Sequence, residues 1–306
     1  MRKKIFVVFL INFLLIINVK SNSTFFSDED TLSKRRLLFV STTQLVGASL
    51  SFAALDQLWY SKYAKSRFHT FDDSKDWLQM DKIGHATTSY YLTFLSYKSF
   101  KWTGLPEKKS MLYGCISGLT YLTAIELMDG VNQNWGFSLY DMGANIIGSG
   151  LFLSQQMLWN EQRVKLKFSF HQSDMAIYNP QLLGSNFSEQ ILKDYNGQTY
   201  WVSANIHSFL KKENKFPRWI NLAIGYSAQG MIGGTYNNIA ICNGDINCMN
   251  LQRKRQFFLS LDADLTKLNI KSKFLKTITS TFGFIKVPFP AIEFSNAKTS
   301  FHWIYF

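Results

Sequence analysis

The sequence predicts an α+β protein, an N-terminal up-and-down four-helix bundle followed by an antiparallel β region. Three observations predict it. Four apolar segments of helical length lie between residues 34 and 160, separated by short polar breaks. After residue 160 the apolar period shortens to two in several segments. Acidic, amide and histidine side chains then recur at the same end of every helix, as short connections between antiparallel neighbours require.

The elements follow in order. Lys34-Arg35-Arg36 opens a long helix that runs to about Tyr60. Residues 61–80 are polar, with Asp72, Asp73 and Asp76, and read as a connection. A second helix runs from Lys82 to Trp102 and is stopped by "TGLPEKK", whose Gly and Pro supply the turn. A third spans Ser110 to Met128 and carries Gly114 and Gly118, where helix backbones can approach closely. Asp129-Gly130 ends it. Ser138 is the expected N-cap of a fourth helix that reaches Trp159, with Asp141 as the acidic partner three residues on. Beyond it, "RVKLKFSF" alternates strictly. Val164, Leu166, Phe168 and Phe170 share one side, and Arg163, Lys165, Lys167 and Ser169 share the other, which predicts a strand with one wet face. Similar alternation marks "TYWVSANIH", "NLAIGYSAQG", "FFLSLDADL" and the closing "SFHWIYF". "KSKFLKTITSTF" reads as a short helix or loop, and Gly230–Gly234 as a hairpin turn. The domain boundaries expected are 34–160 for the helices and 161–306 for the β region.

Residues 1–20, "MRKKIFVVFLINFLLIINVK", have a cationic start, about 14 apolar residues and a polar exit, the pattern of a signal peptide. Export to the periplasm or the outer membrane, in association with a membrane, is expected. No Cys follows the run, so lipid attachment is not expected. Export makes Cys242 and Cys248, which bracket the polar loop "CNGDINC", an expected disulfide. Cys115 lies in an apolar helix and reads as a small core residue. Formal net charge is +12. Residues 161–306 hold 17 Lys and Arg against 9 Asp and Glu, whereas the surplus of the first half flanks the N-terminal apolar run. A basic half suits anionic lipid, lipopolysaccharide or nucleic acid as a partner, and an envelope membrane or lipid is the expected one. No zinc-knuckle, Walker or RNA-binding pattern points to nucleic acid, and none is expected as a partner.

The helical half carries the chemistry. With the four helices antiparallel, Asp56 ends the first, Asp81 and His85 begin the second, Glu126 and Asp129 end the third, and Asp141 and Asn145 begin the fourth. Each pair is spaced three or four residues apart and so lies on one helix face. Asp81, His85, Glu126, Asp129, Asp141 and Asn145 form an acceptable mixed nitrogen and oxygen ligand set, and a divalent metal is the possible cofactor. His85, Glu126 and Asp141 equally suit metal-free acid–base work, because carboxyls crowded in an apolar bundle have raised pKa values. The plainer alternative stands beside both. Asp81 and Asp141 are good first-turn residues, Asp129-Gly130 is an ordinary stop, and His85 serves to tie two helices together.

The ordered stretches "DKIGH", "ELMDG" and "GFSLYDMGANIIG" resemble the YfiM-like family of predicted periplasmic lipoproteins of unknown function, over residues 77–155. They are more distantly similar to VanZ-like membrane proteins. The resemblance implies that Asp81, Lys82, His85, Glu126, Asp129, Asp141, Asn145 and Gly148 are the polar and small positions of the family, and it supplies no reaction. Two functions are therefore carried forward. The first is a cell-envelope protein with a structural or binding role. The alternative is a metal-dependent envelope enzyme acting on a lipid or cell-wall intermediate.

Overall fold

A computed structural model describes residues 31–306 apart from 212 and 297. The expected signal peptide lies outside the described residues. Four long helices come first: α1 (Lys34–Leu58), α2 (Met80–Trp102), α3 (Glu107–Asp129) and α4 (Leu139–Trp159). Six strands follow, β1 (Val164–Phe170), β2 (Gln198–Asn205), β3 (Ile220–Gln229), β4 (Lys254–Ala263), β5 (Phe289–Ser295) and β6 (Lys298–Tyr305), in one antiparallel sheet in sequence order. The fold class is the expected α+β.

α2 is the central helix and packs along both α3 and α4. Small residues set the spacing. A Cβ on Gly114 would sit 2.6 Å from the Tyr97 nitrogen, and one on Gly148 would sit 2.0 Å from the Ala86 carbonyl oxygen. Any side chain at either position would force the helices apart. Tyr90, Tyr91, Tyr97 and Phe152 fill the space between α2 and α4, with Leu166 of β1 closing it from the sheet side.

α1 departs from the expected bundle. Only Val40 is buried along its whole length. It rests on α2 and α3 through Val40 against Phe100 and Leu105, through Phe52 stacked on Tyr121, and through a hydrogen bond from Tyr121 to Ser51. α1 and α3 are long and apolar enough to cross a membrane by length and composition.

The sheet also departs from expectation. The side of β1 that carries Lys165 and Lys167 is not wet. Lys167 is buried and pairs with Asp262 of β4 at 2.6 Å, and Lys165 pairs with Asp264 at 2.7 Å. A flat sheet would hold β1 and β4 about 14 Å apart, so the sheet is strongly curled and its polar side is the concave interior. Asp262 also accepts from Ser203, and the Trp201 indole donates to Ser169. β5, "FPAIEFS", escapes the alternation reading because Pro290 stands within it. Residues 230–253 are no tight turn. They form a long excursion that holds the Cys242–Cys248 disulfide and two single-turn helices.

Candidate functional site

The site lies where α2 begins, α3 ends and α4 begins. Its entry is an unusual piece of backbone. Trp77, Leu78 and Gln79 all have φ between 49° and 67°, a left-handed run with no glycine. Such residues cost of order 1 kcal/mol each and persist only when neighbours over-determine them. Here the Trp77 N–H donates to the Gly234 carbonyl, Tyr226 donates to the Leu78 carbonyl, and Arg255 donates to the Gln79 side chain. The turn ends in buried Met80 and delivers Asp81 into the site.

Lys82 is the hub. Its ammonium lies 2.5 Å from Asp73 Oδ2, 2.8 Å from Asp81 Oδ2 and 2.8 Å from Asp141 Oδ1. Asp73 is fixed in turn by the Ser138 hydroxyl at 2.6 Å. Ser138 caps α4 as expected, its oxygen accepting from the Asp141 N–H. Its own N–H donates to Glu126 Oε2. Asp81 Oδ1 accepts from Tyr195 at 2.6 Å, which brings the loop before β2 into the site.

His85 stands beside this hub. Its Nδ1 lies 3.2 Å from Asn145 Oδ1 and 3.6 Å from Glu126 Oε1, and its Nε2 lies 3.8 Å from Asp81 Oδ1 and 4.0 Å from Asp141 Oδ2. The imidazole of His85 thus lies within 4.0 Å of Glu126, Asp141, Asp81 and Asn145. One imidazole nitrogen, one Asp81 oxygen and one Asp141 oxygen lie within 4.8 Å of one another. Two buried polar atoms next to the ring, Glu126 Oε1 and Asn145 Nδ2, have no hydrogen-bond partner.

The carboxyls divide by environment. Burial pushes Glu126 up to about 8, with the Asp141 charge adding and the His85 charge opposing. Burial likewise pushes Asp129 up to about 7, although a hydrogen bond from Tyr60 pulls the other way. Asp141 is raised by burial and by the neighbouring Asp81. Asp81 is lowered, because His85 and Lys82 outweigh its burial. The Lys82 ammonium is held charged for the converse reason, Asp81 and Asp141 outweighing burial. Groups forced apart in this way are the usual makings of an acid–base or cation site.

Not every expected residue joins. Asp56 is exposed on the weakly packed α1 and stands outside the network. Tyr60, just beyond α1, does reach it through Asp129. Asp73, Ser138 and Tyr195 are essential to the geometry and were not among the expected site residues. A capping serine is legible as a cap and not as a bridge to Asp73, and no spacing links Tyr195 to Asp81, more than a hundred residues earlier.

Residues 70–155 match the model of a family described as "Predicted periplasmic lipoprotein (DUF2279)". No curated protein and no solved structure matches the chain. The matched stretch begins just before Asp73 and ends within α4, so it holds Asp73, Lys82, Ser138 and all the expected ligands but not Tyr60 or Tyr195. The similarity to predicted periplasmic lipoproteins of unknown function is therefore a similarity of the helical site, with α1 and the whole sheet outside it.

Proposed function

We propose that this is a cell-envelope protein with a binding role, and that the corner formed by Asp81, His85 and Asp141 takes a divalent cation. One observation carries the reading: a ring nitrogen and two carboxylate oxygens lie within 4.8 Å of one another. The surroundings support it. With Nδ1 donating to Asn145, the His85 Nε2 lone pair faces the two carboxylates, as in metal sites whose histidine is oriented by an outer partner. Lys82 already neutralises part of the acid, so a bound cation shares Asp81 and Asp141 with an ammonium. Modest affinity is expected. Mixed imidazole and carboxylate ligands suit Zn, Mn or Fe. Placement in the envelope, at the periplasm or the outer membrane, rests on the signal-peptide pattern and on the family description.

A second reading has its own observation. Glu126, raised to about 8, holds a proton at neutral pH 3.6 Å from an imidazole. That is a general acid beside a base, the equipment of an envelope enzyme acting on a lipid or cell-wall intermediate.

The test is calorimetric titration of chelator-treated protein with Mn and with Zn. The expected result is one cation per chain, lost in His85→Ala and in Asp141→Asn while circular dichroism is unchanged. Equal binding by wild type and both variants overturns the assignment.

A further inference from the structure

The sheet is inside out with respect to water. One register row runs directly across five strands as Val202, Ile224, Leu259, Ile292 and Phe301. These five are 37% to 58% exposed. The adjacent row, on the opposite face, runs Ser203, Ala223, Ser260 and Ala291, and none of these exceeds 4%. The apolar side chains of the first row thus face out, and the interior side carries the small and polar residues and the Lys167–Asp262 pair together with buried Trp201 and Phe258. Trp303 and Ile304 extend the outer surface at 81% and 75% exposure. Monomers in water rarely expose contiguous apolar patches beyond a few hundred Å². Alternation with the apolar side outward is what hydrocarbon selects.

One end of this face is cationic. A cleft of about 500 Å³ opens there, with Phe257 and Phe294 at its apolar side and Arg253, Lys254, Arg255 and Lys298 around it. None of its lining residues is acidic. The arginines are braced, Arg253 by the carbonyls of Gly233 and Gly234 and Arg255 by Tyr226 and Gln79. Lys254 and Lys298 make no ion pair among the described residues. Phe257 and Phe294 are directly paired, so the cleft is continuous with the outer rows of the sheet.

We propose that the outer face of the sheet lies against an anionic phospholipid bilayer, and that the cationic cleft holds the headgroup phosphate of a lipid whose acyl chains lie along Phe257, Phe294 and Ile292. Charge complementarity chooses this occupant over a second copy of the chain. A copy packed on this face offers the cleft only apolar rows or the same four cations, with no acidic residue in either, whereas anionic lipid brings phosphate to the cations and hydrocarbon to the apolar rows. The inference rests on the envelope placement but not on the cation site, and either can fail alone.

The test is site-resolved vesicle binding by the full chain, using phosphatidylcholine with and without phosphatidylglycerol. Residues 1–20 and α1 are apolar enough to bind vesicles themselves, so differences between variants are what read the sheet. Lipids brominated along the acyl chain are expected to quench wild type more than Trp303→Phe. Lys254→Glu with Lys298→Glu is expected to weaken binding to phosphatidylglycerol vesicles by about tenfold or more and to leave binding to phosphatidylcholine unchanged. Ile292→Cys is expected to react with a water-soluble maleimide in dilute detergent-free buffer and to be protected by vesicles. Equal quenching in wild type and Trp303→Phe, an unchanged affinity in the double lysine variant, or protection of Ile292→Cys by self-association without vesicles each overturns the proposal.

Discussion

The helical end and the curled sheet both bury charge, and they do so in opposite ways. In the sheet Lys167 pairs with Asp262 and Lys165 with Asp264, hydrogen bonds from Ser203 and Thr266 complete the acceptors, and a third buried ammonium, that of Lys286, donates to the Val287 carbonyl and lies over the Trp201 ring. At the helical end five carboxyls, those of Asp73, Asp81, Glu126, Asp129 and Asp141, surround one ammonium and one imidazole. A matched buried pair is complete and does structural work. An unmatched surplus must take up protons or a cation, so its state depends on the solution. That difference separates a brace from a site more sharply than burial does, since the side chains are 0–13% exposed in the sheet pairs and 1–19% exposed around Lys82 and His85.

The largest expected effect breaks or confirms the contrast directly. Lys167→Met removes the ammonium paired with buried Asp262, and breaking such a buried pair typically costs ~3–5 kcal/mol. Lys82→Met leaves Asp73, Asp81 and Asp141 together, but these can share protons, and a smaller loss of about 1–2 kcal/mol is expected at neutral pH. Denaturant unfolding of both variants measures it. Equal losses would mean that the helical cluster is a brace like the sheet.

Next in size is the pH dependence. Glu126 has its pKa raised from about 4.5 in the unfolded chain to about 8 in the fold. The native state therefore holds a proton that the unfolded state releases. Its contribution is fully present below pH 4.5 and is lost as pH rises toward 8, at no more than ~1.4 kcal/mol per pH unit. Asp129, raised to about 7, acts in the same direction and finishes earlier. Glu126→Gln removes the titration. The melting temperature of the variant relative to wild type should therefore rise between pH 5 and pH 8. A constant difference over that range would show that Glu126 is ionised in the fold.

The same contrast explains what could be read from the sequence. The helical end was legible because helix spacing and antiparallel connectivity bring Asp81, His85, Glu126, Asp141 and Asn145 together without any knowledge of packing. The Ser138 cap was legible for the same local reason. Lys82 belonged to the motif, but its role as hub was hidden, because it depends on Asp73 and on the left-handed turn at Trp77–Gln79. Nothing in Trp-Leu-Gln signals positive φ. In the sheet, alternation located β1, β2, β3, β4 and β6, but the polar side of β1, expected to be wet, is buried. Period two says that two faces differ and does not say which faces water. Only the curl, which brings Lys167 to Asp262 across three strands, assigns the polar face to the interior. α1 misled in the other direction. Its length and apolar content predict a full bundle member, yet Val40 alone is buried.

The smallest expected effect concerns the excursion between β3 and β4, which belongs to neither side of the contrast. Cys242 and Cys248 form a disulfide there and are buried with Ala176, Leu183 and Ile232. Their separation in sequence is only six residues. The chain entropy removed by closing so short a loop is less than that for a 15-residue loop, for which about 3 kcal/mol is expected. The loop also keeps other ties when the bond is lost. Asp245 accepts from the N–H groups of Asn247 and Cys248, and Asn237 donates to the Gly230 carbonyl. Cys242→Ala with Cys248→Ala should therefore cost roughly 1–2 kcal/mol in denaturant unfolding. It should leave cation titration unchanged, because no residue of the excursion is among the proposed ligands. Mass spectrometry of unreduced wild type should show both thiols oxidised and Cys115 free to alkylate. A double variant that loses cation binding while staying folded would tie the excursion to the helical site through its links to the entry of α2, the hydrogen bonds from Trp77 to Gly234 and from Thr235 to Asp76.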